Sequence, residues 1–120
     1  MEGNLTVDPK NAQDNKVMGI LAYLGILVLV PIFAAKESPF ARYHSNQGLI
    51  LLILAVALAI VVNIISRIIL AISFSLFLLT SLLSGLIWLG IGVFAIIGII
   101  NAAKGEMKEL PLIGKYKILK

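Results

Sequence analysis

Residues 68–103 run for 36 positions without one charged side chain. Two shorter charge-free runs precede this stretch, at 17–35 and 45–66, bounded by Lys16, Lys36, His44 and Arg67. A helix rises about 1.5 Å per residue, so about 20 apolar residues cross the roughly 30 Å hydrocarbon core of a bilayer. Runs of this length read as membrane-spanning helices. The composition agrees: 60% of the 120 residues are hydrophobic and 13% charged, with a mean hydropathy of +1.05. A soluble domain of this size cannot hide that much apolar surface, because small domains bury the smallest fraction of theirs. A disordered chain needs the opposite balance, low hydrophobicity and high charge.

The run at 68–103 would be roughly 54 Å long as one helix, too long for a single crossing. Two readings follow. In one, the second helix overshoots Arg67 and turns among Ser73, Ser75, Thr80 and Ser81. In the other, two short spans turn at Ser84 and Gly85. The first gives an all-α integral membrane bundle of three transmembrane helices, the second a bundle of four. The three-span organisation is a polar tail at 1–16, a transmembrane domain at 17–103 with spans at about 17–35, 45–67 and 80–103, and a basic tail at 104–120. Ser38 followed by Pro39 reads as an N-cap with proline at the first helical position. Pro31 should kink the end of the first span, and Gly105 suits a helix terminus.

Lysine and arginine concentrate on the cytoplasmic side of membrane proteins. Three spans place Lys10, Lys16 and Arg67 on one side and seven basic residues on the other, predicting the N-tail outside and the C-tail in the cytoplasm. Four spans put both tails inside. The location expected is the plasma membrane of a bacterium or archaeon.

The chemistry excluded is broad. The chain has no cysteine and one histidine, which removes thiol chemistry and multi-histidine metal sites. All six carboxylates lie outside the spans, whereas coupled carriers use carboxylates within the membrane. No phosphate-binding loop, nucleophile elbow or metalloprotease helix occurs. The expectation is a non-enzymatic protein with no catalytic residues, no metal site and no cofactor. Its partner is the lipid bilayer, with membrane-protein partners or a homo-oligomer besides, and no nucleic acid.

Three sets of residues stand out. Arg42, Tyr43, His44, Asn46 and Gln47 crowd the entry of the second span. They read either as an interfacial turn or as a partner contact. Arg67, Lys115, Tyr116, Lys117 and Lys120 read as membrane anchors, with long basic stems snorkelling to the headgroups. Gly48, Ala55, Ala59 and Asn63, with Gly85, Gly92 and Ala95, form small-residue stripes suited to close helix packing.

The string Ser38-Pro39-Phe40-Ala41-Arg42-Tyr43-His44-Ser45-Asn46-Gln47-Gly48 resembles the core of a Tic-twenty-like family of small membrane proteins. That family is similar to the twenty-kilodalton membrane subunit of the chloroplast inner-envelope import machinery. Ala102-Ala103-Lys104-Gly105-Glu106 and Leu110-Pro111-Leu112-Ile113 resemble its closing segment. The resemblance implies a translocation subunit or assembly factor and supplies no catalytic residue. The rival expectations are a membrane-protection or immunity-type protein and a homo-oligomeric channel.

Overall fold

The computed structural model describes residues 4–5 and 8–119. In order the chain forms β1 (Asn4–Leu5), α1 (Pro9–Asp14), α2 (Lys16–Leu21), a 3-10 turn (Gly25–Val28), α3 (Leu29–Ala34), α4 (Pro39–Ile72), a 3-10 turn (Phe74–Leu76), α5 (Phe77–Ala103) and β2 (Met107–Lys108). The architecture is all-α apart from the two-residue strands. Ser38 caps α4, its Oγ accepting the Ala41 N–H at 3.0 Å, and Pro39 fills the first turn. α4 then runs 34 residues, past Arg67, and stops where Ser73 turns extended and its hydroxyl meets that of Ser75 at 2.7 Å. Short hydroxyl side chains that bond locally compete with the helix ladder, which favours a break here. α5 passes straight through Ser84 and Gly85. It ends where Gly105 takes a φ of +73° and the Glu106 N–H reaches back to the Asn101 carbonyl at 2.9 Å, a glycine-terminated helix end.

α4 and α5 form a hairpin, and the molecule measures 56 × 23 × 22 Å. Its core sits at one end of the hairpin, not along it. Ala12, Ala22, Tyr23, Val28, Phe40, Tyr43, Leu51, Ala102, Met107 and Leu110 are buried together in this base. Beyond it, the side chains from Ile53 to Ile72 on α4 and from Phe77 onward on α5 are largely exposed and apolar. Twenty residues of α4, from 53 to 72, span about 30 Å, the thickness of a hydrocarbon core. Each large apolar side chain there favours hydrocarbon over water by about 1.5–3 kcal/mol when fully transferred. Such a surface favours lipid over water.

Among the described residues two helices are long and apolar enough to cross a membrane. The segment at 17–35, expected as a first span, is instead broken at residues 22–24, with Gly25 at a φ of +65°. α1, α2 and the turn after them descend along α4: Asn11 lies at Ser38 and Phe40, Gly19 against Phe40 and His44, and Ala22 against Gly48. The chain then climbs back through α3 to Ser38. It enters and leaves at the same end.

The strands bear on the expected sidedness. β1 pairs antiparallel with β2, Asn4 opposite Lys108 and Leu5 opposite Met107. The two tails therefore lie together at one end of the hairpin. A charge count alone cannot see this, because it assumes that every long apolar run crosses. The cysteine-free sequence allows a direct check. Single cysteines at Gln13 and Lys117 are expected to react with an impermeant maleimide from the same side of sealed vesicles. A cysteine at Ser75 should react from the other side. Labelling of 13 and 117 from opposite sides would refute the arrangement.

Candidate functional site

The polar residues of the α4 entry form a clasp. Residues 109–119 carry no regular secondary structure, so their backbone groups need partners from elsewhere when buried. Two α4 amides supply them. Gln47, fully buried, donates from Nε2 to the Gly114 carbonyl at 2.8 Å and accepts the Leu110 N–H on Oε1 at 2.8 Å. One side chain thus closes both ends of the loop 110–114. Asn46 donates from Nδ2 to the Tyr116 carbonyl at 2.9 Å, and its Oδ1 accepts the N–H groups of Ile118 and Leu119. Gly114 has to be glycine: a Cβ there would run into the Leu110 backbone and the Gln47 oxygen.

His44 ties the other side of the base. Its Nε2 lies 2.7 Å from the Glu106 carbonyl and its Nδ1 2.6 Å from the Tyr23 hydroxyl. A carbonyl only accepts, so Nε2 carries the proton, and Nδ1 then accepts from the tyrosine in the neutral ring. Phe40, Tyr23 and Tyr43 meet the imidazole edge-on, with centroids 4.7, 5.5 and 5.5 Å away. Asn11 completes the set: its Oδ1 accepts from Ser38 Oγ at 2.9 Å and from the Phe40 N–H at 3.1 Å. These bonds join α1, α2, α4 and the tail into one body. The Tyr43 hydroxyl and Ser45 Oγ are buried there without a hydrogen-bond partner among the described residues.

The expected partner contacts therefore turn inward. Tyr43, His44, Asn46 and Gln47 are buried and Arg42 half-buried. His44, Asn46 and Gln47 bond this chain's own segments. Among the expected anchors, Arg67 is exposed on the hairpin and Lys115, Tyr116 and Lys117 are exposed on the tail, Lys115 Nζ lying 5.5 Å from the Tyr116 ring centroid. Lys120 lies outside the described residues.

The packing stripes divide. Gly48 lets the Ala22 backbone approach, whereas Gly85 and Gly92 face open space within the chain. Ala95 packs against the core, and Ala55 and Ala59 are half-buried. Asn63 bonds its own helix, donating to the Ala59 carbonyl at 2.9 Å. In the far half of the hairpin, Asn63, Ser66, Ser81, Ser84, Gly85 and Trp88 line a groove of about 470 Å³.

Sequence reasoning missed Tyr23, Asn11, Gly98 and Gly114. Gly98 is where the Tyr23 ring approaches α5 too closely for a side chain. A lone tyrosine inside an apolar run was the available signal, because a buried hydroxyl needs a partner and the chain holds one histidine.

No group of three or more histidine, cysteine, aspartate or glutamate residues stands together to hold a metal ion among the described residues. Fold and site together define a small helical-hairpin protein with two helices apolar and long enough to cross a membrane and a base closed by its own tail. Residues 14–117 match the model of the magnetosome magnetite crystal formation protein family, and the chain belongs to that family. One relative, the magnetosome protein MamF of Paramagnetospirillum magneticum, is 27% identical over 103 residues, covering 86% of this chain and 82% of that protein. No solved structure matches. The match overturns the Tic-twenty-like resemblance and the protein-transport role drawn from it. The Ser38-to-Gly48 string on which that resemblance rested lies inside the matched region, where it forms the clasp.

Proposed function

We propose that this chain is a non-enzymatic integral protein of the magnetosome membrane that takes part in forming the magnetite crystal. The observation that carries the reading is the extent of the family match. Residues 14–117 take in the hairpin, the segment at 16–38 and most of the clasped tail, so the family model covers most of the folded unit. The hairpin crosses the bilayer with its turn at Phe74–Leu76 on one side. Lysine and arginine number ten, and all except Arg67 fall at the base end or in the two tails. That bias orients the base toward the cytoplasm. The partners are lipid and, through the groove lined by Asn63, Ser66, Ser81 and Ser84, other membrane helices or a second copy. Side-chain hydrogen bonds between helices hold such contacts in membranes.

The test uses a Paramagnetospirillum magneticum strain lacking its MamF. A fluorescent fusion of this chain should co-purify with the magnetosome fraction, and expression should shift the crystal-size distribution seen by electron microscopy. A fusion confined to other membranes, with crystals unchanged, would refute the reading.

A further inference from the structure

We propose that the base is seated in the interface of one leaflet as a wedge, so that the protein prefers strongly curved bilayers with that leaflet on the convex side. The apolar belt of the hairpin does not stop where the base begins. It continues onto the segment at 17–33, where Val17, Ile26 and Phe33 are each about two-thirds exposed. On the tail, Leu112 is 84% exposed. It is held outward at a φ of +69° in a tight turn closed by the Ile113 N–H on the Pro111 carbonyl at 2.7 Å. A non-glycine residue rarely adopts that backbone conformation, and here it points a leucine away from the protein. Lys16, Lys36, Lys104, Lys115 and Lys117 lie among these apolar side chains, all exposed or half-exposed. Apolar side chains rimmed by lysines complement acyl chains under anionic headgroups.

The backbone is prepared for that depth. The break at 22–24 places polar backbone within the base, and Ala22 and Tyr23 are buried there against Gly48 and Gly98. Irregular backbone is tolerated near hydrocarbon when protein covers it. Ala22 meets α4 at Gly48, nine residues beyond Pro39 and so about 14 Å along the helix. Residues 53–72 fill about 30 Å of hydrocarbon, so the base lies at the headgroup interface of one leaflet. At that level α4 is flanked by α2, α3, the end of α5 and the tail, whereas the far half is two helices alone. A protein wider in one leaflet than in the other fits a bilayer curved toward its wide side.

The proposal rests on the hairpin crossing the membrane, not on any role in crystal formation. The test is reconstitution into small sonicated and large extruded vesicles of phosphatidylcholine and phosphatidylglycerol. Molecules with tails outward are counted through Lys117→Cys labelled with an impermeant maleimide. Labelled protein per lipid area should be several-fold higher in the small vesicles. The triple variant Val17→Ser, Ile26→Ser, Phe33→Ser alters only outward side chains. It should lose that preference while still resisting carbonate extraction. Equal density in both vesicle sizes, or a triple variant with its preference intact, would overturn the wedge. Extraction of the wild-type chain by carbonate would instead overturn the spanning hairpin beneath it.

Discussion

Replacing Gln47 by alanine is expected to release the tail from the base. The substitution removes the donor to Gly114 and the acceptor from Leu110 in one step. A buried backbone group left without its partner costs about 1–3 kcal/mol. Two such groups are orphaned, and the cheaper outcome is for residues 109–119 to swing into water and be solvated there. Opening should rise by roughly tenfold or more, since about 1.4 kcal/mol is a factor of ten. The measurement is the rate of trypsin cleavage after Lys115 and Lys117 in nanodiscs, together with hydrogen exchange at the Leu110 amide. Gln47→Met keeps the volume and removes the hydrogen bonds, so it separates bonding from packing. If Gln47→Met leaves both rates unchanged, the amide does not hold the tail.

Gly48→Ala should be the most disruptive one-carbon change in the hairpin. The Ala22 carbonyl oxygen occupies the place of the new methyl group, and a backbone atom cannot rotate aside as a side chain can. The turn after α2 has to move away from α4, at a cost of about 1–3 kcal/mol or more for overpacking. Gly92→Ala is the matched control. Its methyl group meets nothing within 4 Å, and a helix interior prefers alanine to glycine by about 0.5–1 kcal/mol. Thermal unfolding followed by circular dichroism in micelles should lower Tm for Gly48→Ala and leave it level or raised for Gly92→Ala. Equal Tm values for the two variants would show that the α2–α4 approach is not tight.

The wrong family reading has a physical cause. Sequence patterns in membrane chains are partly dictated by the bilayer, so a short motif such as Ser38 to Gly48 resembles others that meet the same demands. The Arg42-to-Gln47 cluster looked like a surface because it is polar. It is polar because the tail has no secondary structure of its own, and its backbone needs side-chain amides to bond when buried. Which carbonyl each amide meets depends on how the tail folds back, and no local pattern in residues 104–120 encodes that.

Sequence by itself determined the apolar character of the surface, the helical class, and the helix start at Ser38 and Pro39. These follow from transfer energies and backbone sterics, which act residue by residue. Only the tertiary structure decided that the segment at 17–35 folds back, that both tails share one end, and that His44, Asn46 and Gln47 face inward. An apolar run of 19 residues satisfies the length of a span whether or not it crosses. What breaks this one is the close approach of Ala22 to Gly48 and of Tyr23 to Gly98 and His44, contacts between residues more than 20 positions apart.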